Sequence, residues 1–401
     1  MLRNWIDVQF LKFNNKKNYN NKDYKNNKVS TVYILALDGG GQRGYIQAVF
    51  LNLFLQQWGI NPNDLWKKFD VICGTSVGGI QALAYAKGMS PDEVIPFFTN
   101  AGKWIFTIRT AADVLAGSIN ASLPSNRPNL AQKLALMGTS DPFYNSVSPD
   151  SNYGSSRLYS EMTSTFSDMT LQGLKTKVLI PAYNKTEEKF TLFSNAGLAG
   201  YEGQNELVKN VAAATSAAPI YLPSYSFQSG GISKTYLDGG IFQNNPASFG
   251  LTLGQQLKPT ANRACVLSIG TGLGSIGFSP LDAAKLSSNN IRSNMQPNDN
   301  SFASLFALID QSMTGCQESV AQELLLRSSQ YTLNKLYYYR FQYELDNENY
   351  DTDMDNTDSS SFDYFSDLTN PDYMKYLSDS TTAHYNADIE NISTFIGHLE
   401  A

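Results

Sequence analysis

Histidine is almost missing: 401 residues carry two, His384 and His398, both inside an acidic C-terminal stretch. Any hydrolytic chemistry placed elsewhere in the chain must therefore find another base. Cysteine is as sparse. Cys73, Cys265 and Cys316 form an odd set without metal-ligand spacing, which excludes a disulfide framework and suits a reduced compartment or incidental thiols. Positive charge is also short, with 30 Lys and Arg against 36 Asp and Glu, a net charge of -6 and a pI near 5.1. A protein without a basic face is not built to hold nucleic acid. No apolar run reaches the length of a bilayer span, and the opening residues "MLRNWIDVQFLKFNNKKN" lack the continuous apolar core of a secretory signal.

What is present is enough apolar material, 42% of residues, for a large α/β core. Strand-like "VYILAL" precedes a helical run from Gly44 to Trp58, and "FDVICG" precedes one through Ile80 to Lys87. Ser90 is a good N-cap for a helix opened by Pro91. Further strands are expected at "KVLIPAYN", "KFTLFSN", "KTYLDG" and "ACVLSIG", with a helix near "ELVKNVAAATSAA". This alternation predicts a mainly parallel sheet sandwiched by helices, three layers in all. Residues 1–30 read as a mobile basic leader, 31–270 as the core domain and 271–401 as a helical and acidic C-terminal region. Within the core, residues 103–159 read as an insertion and candidate cap, opening on the apolar run Trp104 to Ile108. The aspartates Asp351, Asp353 and Asp355 lack the glycine and closing glutamate of a calcium loop, so no metal site is expected there.

Three short motifs carry chemistry. "CGTSVGG" places Ser76 in a GxSxG pentapeptide between a strand and a helix, the setting of a nucleophile elbow. Gly74 and Gly78 would clear the turn of side chains; the competing reading of Ser76 is an ordinary helix N-cap. "LDGGGQRGY" puts Gly39, Gly40 and Gly41 after a buried strand. Gly39, Gly41 and Gly44 also fit a dinucleotide fingerprint, with Asp64 twenty residues on, but Asp38 would repel a pyrophosphate. No P-loop lysine follows. An oxyanion hole is the better account, with Gly40 and Gly41 as preferred donors. Asp38 reads as structural, accepting hydrogen bonds from the glycine amides behind it. Arg43 either supplies positive charge near a phosphate head group or anchors the loop; both stay open.

The third motif, "LDGGIFQNNP", offers Asp238 as the base, with Gly239 and Gly240 leaving room for a close approach to Ser76. A triad through His384 stays formally open. An aspartate acting directly would need burial to lift its pKa from about 3.9 toward neutrality.

Taken together, "DGGGQRG" at 38–44, "GTSVGG" at 74–79 and "DGG" at 238–240 with "NNP" just after resemble the patatin-like phospholipases, over about residues 31–270. That resemblance implies a doubly wound α/β sandwich and calcium-independent cleavage of fatty acyl esters from phospholipids or related lipids. It implies Ser76 as nucleophile, Asp238 as base, Gly39 to Gly41 as oxyanion hole, and no metal or organic cofactor. A serine esterase of soluble acyl esters, or a silent lipid- or partner-binding module, are the alternatives. The expected partners are an acyl lipid and a membrane surface touched peripherally, with a protein activator left open. The expected location is cytoplasmic, with leaderless secretion also open.

Overall fold

The computed structural model describes residues 29–101, 154–218, 222, 224–273, 299–330, 335–345 and 371–401. The sheet is built outward from β1 (Thr31–Leu37), which lies parallel between β2 (Val71–Gly74) and β7 (Arg263–Ile269). β2 pairs in parallel with the first residues of β3 (Lys177–Asn184), and β8 (Lys335–Phe341) extends the parallel part beyond β7. The rest of β3 turns antiparallel, against β4 (Lys189–Phe193) and β6 (Ile232–Asp238). With β5 (Tyr225–Ser229) at one edge, the order is β5-β6-β3-β2-β1-β7-β8, with β4 on β3.

β5 (Tyr225–Ser229) is a strand that the apolar pattern does not announce, because "YSFQS" is polar at every second position. Its pairing with β6 comes from the turn. Gly230 and Gly231 both sit at positive φ, 61° and 81°, and close a two-residue hairpin that only glycine enters without steric cost.

Strand alternation separates two cores, one on each side of the sheet. Val32, Ile34 and Ala36 face a layer formed by α7 (Ala247–Leu257) and α8 (Asp299–Gln330). Leu35 and Leu37 face the larger core with α1 (Tyr45–Trp58), α2 (Val77–Lys87) and the C-terminal α9 (Pro371–Ala387) and α10 (Ile389–Glu400). The expected helix-sheet-helix sandwich with C-terminal helices is thus what the chain forms. α3 (Pro91–Pro96) opens with the Ser90 cap, completed by Glu93 into a reciprocal capping box. α4 (Gly154–Phe166), α5 (Val208–Thr215) and the one-turn α6 (Gly240–Gln243) complete the α-helices among the described residues. The leader, nearly all of the expected cap including Trp104 to Ile108, and the acidic run at Asp351 to Asp355 lie outside the described residues.

Aromatic rings tie the two ends of the chain together. Phe50 of α1 is fully buried, 4.2 Å from the Phe341 ring of β8 and 5.4 Å from the Tyr385 ring of α9, measured between centroids. Phe50→Ala should cost about 3–5 kcal/mol in denaturant unfolding. Because these elements share one core, the loss is expected as a shift of a single cooperative transition rather than the appearance of a second one.

Candidate active site

β2 leads through Gly74 and Thr75 into Ser76, and α2 starts at Val77. Ser76 has φ 55° and ψ -127°, a conformation that costs a non-glycine residue on the order of 1–3 kcal/mol and needs a firm frame. Part of that frame is close packing of backbone on backbone. A first side-chain carbon at Gly78 would lie 2.4 Å from the Leu37 carbonyl, and one at Gly74 would lie 2.0 Å from the Gly78 carbonyl. Both glycines named from the GxSxG pattern are therefore needed for approach.

Hydrogen bonds supply the remainder. The Thr75 N–H donates to Leu37 O at 3.1 Å and its hydroxyl to Gln243 O at 2.7 Å. Ser76 N–H donates to Thr215 Oγ1 at 3.0 Å, and that hydroxyl donates in turn to Pro181 O at 2.6 Å. The Thr215 carbonyl accepts from Gly239 N–H at 3.2 Å, while Asp238 N–H donates to Ala217 O at 2.9 Å. Thr215, at the end of α5, thus joins the serine turn to the aspartate turn. Nothing in the one-dimensional pattern marks it.

Asp238 ends β6, beside Ala182 of β3. Its Oδ1 accepts the Gly240 N–H at 2.6 Å, and its Oδ2 is buried without a hydrogen-bond partner among the described residues. Burial pushes the carboxyl up to about 7, while the Ser76 hydroxyl and the Gly240 amide pull it down. No hydrogen bond between Ser76 and this carboxyl is among the described contacts. Gly239 lies against the Pro181 carbonyl, where a side-chain carbon would come within 2.4 Å.

The glycine loop departs from expectation at two residues. Gly39 N–H is already bonded to Asn244 O at 3.1 Å, so Gly39 is not an oxyanion donor. It serves by being small: a side-chain carbon there would lie 3.1 Å from Ser76 Cβ and 2.2 Å from Asn244 Oδ1. The amides of Gly40 and Gly41 have no acceptor among the described contacts. Asp38 does not bind the glycine amides behind it. Its carboxylate meets Arg340 of β8 in a two-toothed pair, Nη1 to Oδ1 at 3.0 Å and Nη2 to Oδ2 at 2.5 Å. Burial pushes the Asp38 carboxyl up and the guanidinium draws it back. Arg43 stands half-buried at the end of the 3-10 turn Gly41–Gly44 that follows.

Neither histidine is at this site. His384 stacks on Tyr343 at 4.1 Å and His398 on Tyr337 at 3.9 Å, and no described contact brings either to Ser76 or Asp238. Asn244, in the "NNP" run, is the further side chain at the centre. Its Oδ1 is buried without a partner among the described residues, and its Nδ2 donates to Gly39 O at 3.3 Å. One turn past the serine, Ile80 begins a cavity of about 310 Å³ whose apolar walls include Ala84, Met89, Phe97, Met162 and Phe166.

The model of the family described as Patatin-like phospholipase matches residues 35–250. A cGAMP-activated phospholipase of Pseudomonas aeruginosa is 30% identical over 259 residues, 64% of this chain and 67% of its own length. Patatin-like protein 2 of Arabidopsis thaliana is 30% identical over 264 residues, 60% of each chain. The chain thus spans between 60% and 67% of the length of these relatives. Among solved structures, VipD from Legionella pneumophila is similar over 87% of this chain and 67% of its own, at 14% identity and a TM-score of 0.32.

Removing Arg340 strands a buried carboxylate. Arg340→Met should destabilise the fold by about 3–5 kcal/mol, and adding Asp38→Asn should recover part of that loss. A double-mutant cycle in urea measures the coupling directly.

Proposed function

This chain belongs to the patatin-like phospholipase family, and we propose that it is a serine lipid acyl hydrolase, a calcium-independent phospholipase A using Ser76 and Asp238 as a dyad. One observation carries the reading: Thr215 ties the strained Ser76 turn to the turn of Asp238, a buried carboxyl that burial pushes up to about 7. A base poised near the working pH is far more effective than an ordinary aspartate.

In this mechanism Asp238 takes the Ser76 proton as Oγ attacks the ester carbonyl. The Gly40 and Gly41 amides hold the oxyanion, and Asp238 returns the proton to the departing lysolipid oxygen. Water then attacks the acyl-serine, giving its proton to Asp238, and the fatty acid leaves as that proton returns to Ser76. No metal or organic cofactor enters these steps. The cavity beyond Ile80 offers the acyl chain an apolar wall of Ala84, Met89, Phe97, Met162 and Phe166, with Glu93, Asn100 and Glu161 also on its lining, at the lower end of the usual pocket size of about 300–1,000 Å³. The chain meets its lipid at a membrane surface as a peripheral protein. Because relatives are named cGAMP-activated phospholipases, an activated rather than constitutive enzyme is part of the proposal.

Fatty acid release from mixed phospholipid vesicles, with and without cell extract, tests it. Ser76→Ala and Asp238→Asn should each abolish release while the far-UV spectrum is kept, and His384→Ala and chelator should leave it unchanged. The rate should rise with pH through about 7, because Asp238 accepts a proton only once its carboxyl is ionised. Full activity in Asp238→Asn, or cleavage of short soluble esters without any of vesicles, would overturn the reading.

A further inference from the structure

The Gly39 carbonyl accepts three side-chain hydrogen bonds. Thr271 Oγ1 donates at 3.1 Å, Asn244 Nδ2 at 3.3 Å and Gln317 Nε2 at 3.3 Å. All three donors are buried. A carbonyl oxygen has two lone pairs, so a third donor goes beyond what satisfying it requires.

The direction of each amide can be read from the backbone outward. Gly272 N–H can only donate, so the oxygen of Gln342 must face it, and Oε1 does so at 2.7 Å. The Gln342 amide nitrogen then faces Gln317, whose Oε1 it meets at 3.4 Å. Gln317 is left with its nitrogen toward Gly39 O, the one polarity that this chain of contacts allows. The relay runs from the turn after β7, through the residue that follows β8, to α8.

The peptide that joins Gly39 to Gly40 is trans, so its N–H points opposite to its C=O. Fixing the carbonyl with three donors on one side fixes the Gly40 N–H on the other. Hydrogen bonds to a peptide oxygen also polarise its N–H and make it a better donor. A glycine pair without such a clamp rotates freely, and a donor must be aimed before charge develops to stabilise it.

We infer that Thr271, Gln317 and Gln342 are positioning residues for catalysis: with Asn244 they hold the Gly39–Gly40 peptide so that the Gly40 amide is aimed as an oxyanion donor. This rests on the proposed acyl hydrolase activity and extends it to residues beyond 35–250, the segment matched by the family. Thr271 also packs where a side chain on Gly40 would lie, 2.1 Å from its Oγ1, so the same residue excludes substitution there.

The test uses the full chain with Thr271→Val, Thr271→Ser, Gln317→Met and Gln342→Met. Steady-state hydrolysis is measured beside affinity for a trifluoromethyl ketone, which forms a reversible oxyanion adduct on a serine. Thr271→Val and Gln317→Met should lower kcat on the order of tenfold with KM little changed, since a misaimed group is costly even when binding survives. Ketone affinity should fall in the same proportion, and Thr271→Ser, which keeps the hydroxyl, should stay near wild type. Gln342→Met, which spares every donor to Gly39, should show a smaller loss of the same kind.

Unchanged kcat in the folded variants, or losses that track only the folded fraction while ketone affinity holds, would overturn the inference and leave the proposed activity standing. If wild type and Ser76→Ala release equally little fatty acid, the activity itself fails and the inference falls with it.

Discussion

The buried ion pair between Asp38 and Arg340 is the constraint on which the rest of the arrangement depends. Asp38 is the first residue beyond β1 and has no solvent exposure, so its charge is tolerable only against a partner that cannot easily leave. Arg340 meets this need because β8 pairs with β7 in one register, Arg340 opposite Ser268. Its Nη1 bonds Ser268 Oγ at 2.8 Å while reaching across β7 to β1. A slip of one residue would turn Arg340 to the other face and leave the carboxylate alone. The glycine loop begins at the next residue. Its geometry is therefore tied to a strand 302 positions away, and the first two hundred and seventy residues do not complete their own site.

That distance also explains what was and was not legible in the sequence. β1, β2, β3, β4, β6 and β7 are legible because burial on one or both faces writes itself into short apolar runs, and the serine elbow is legible because its glycines are demanded within a few residues. The local pattern points Asp38 at nearby amides because it offers no other donor; the real partner is visible only once β8 is paired. Thr215 and Gln317 are hidden for the same reason. Each is an ordinary helix residue whose role depends on what the fold brings opposite it. Gly39 shows the converse: the motif marks it correctly as indispensable, yet the cause is steric fit against Ser76 and Asn244, not an available amide.

Strain at Ser76 is held by several elements together. The elbow needs Thr215 from α5, the Leu37 carbonyl from β1 and the Gln243 carbonyl from α6, so three separate stretches must dock before the serine can occupy φ 55°. Thr215 holds the Gly239 amide as well, which makes the relative position of serine and aspartate a property of one residue rather than of two flexible turns. A strained residue persists only where its surroundings determine it from several sides. Here those surroundings are also the parts that would carry the reaction.

Two buried carboxylates, at the ends of β1 and β6 in one sheet, differ in what faces them, and that contrast separates structure from chemistry. Asp38 has a guanidinium on both oxygens, which matches its charge in place and draws back a carboxyl that burial pushes up. Asp238 has no cation beside it among the described residues, only the Gly240 amide on Oδ1 and the pull of the Ser76 hydroxyl, so burial outweighs them and its affinity for a proton rises toward neutrality. A cation fixed on one buried carboxylate, with none described beside the other, separates the group held for structure from the one left to exchange protons. The cation of Arg340 must therefore stay with Asp38. If it lay beside Asp238 instead, it would drive that carboxyl back toward the ordinary range and remove the base from the serine.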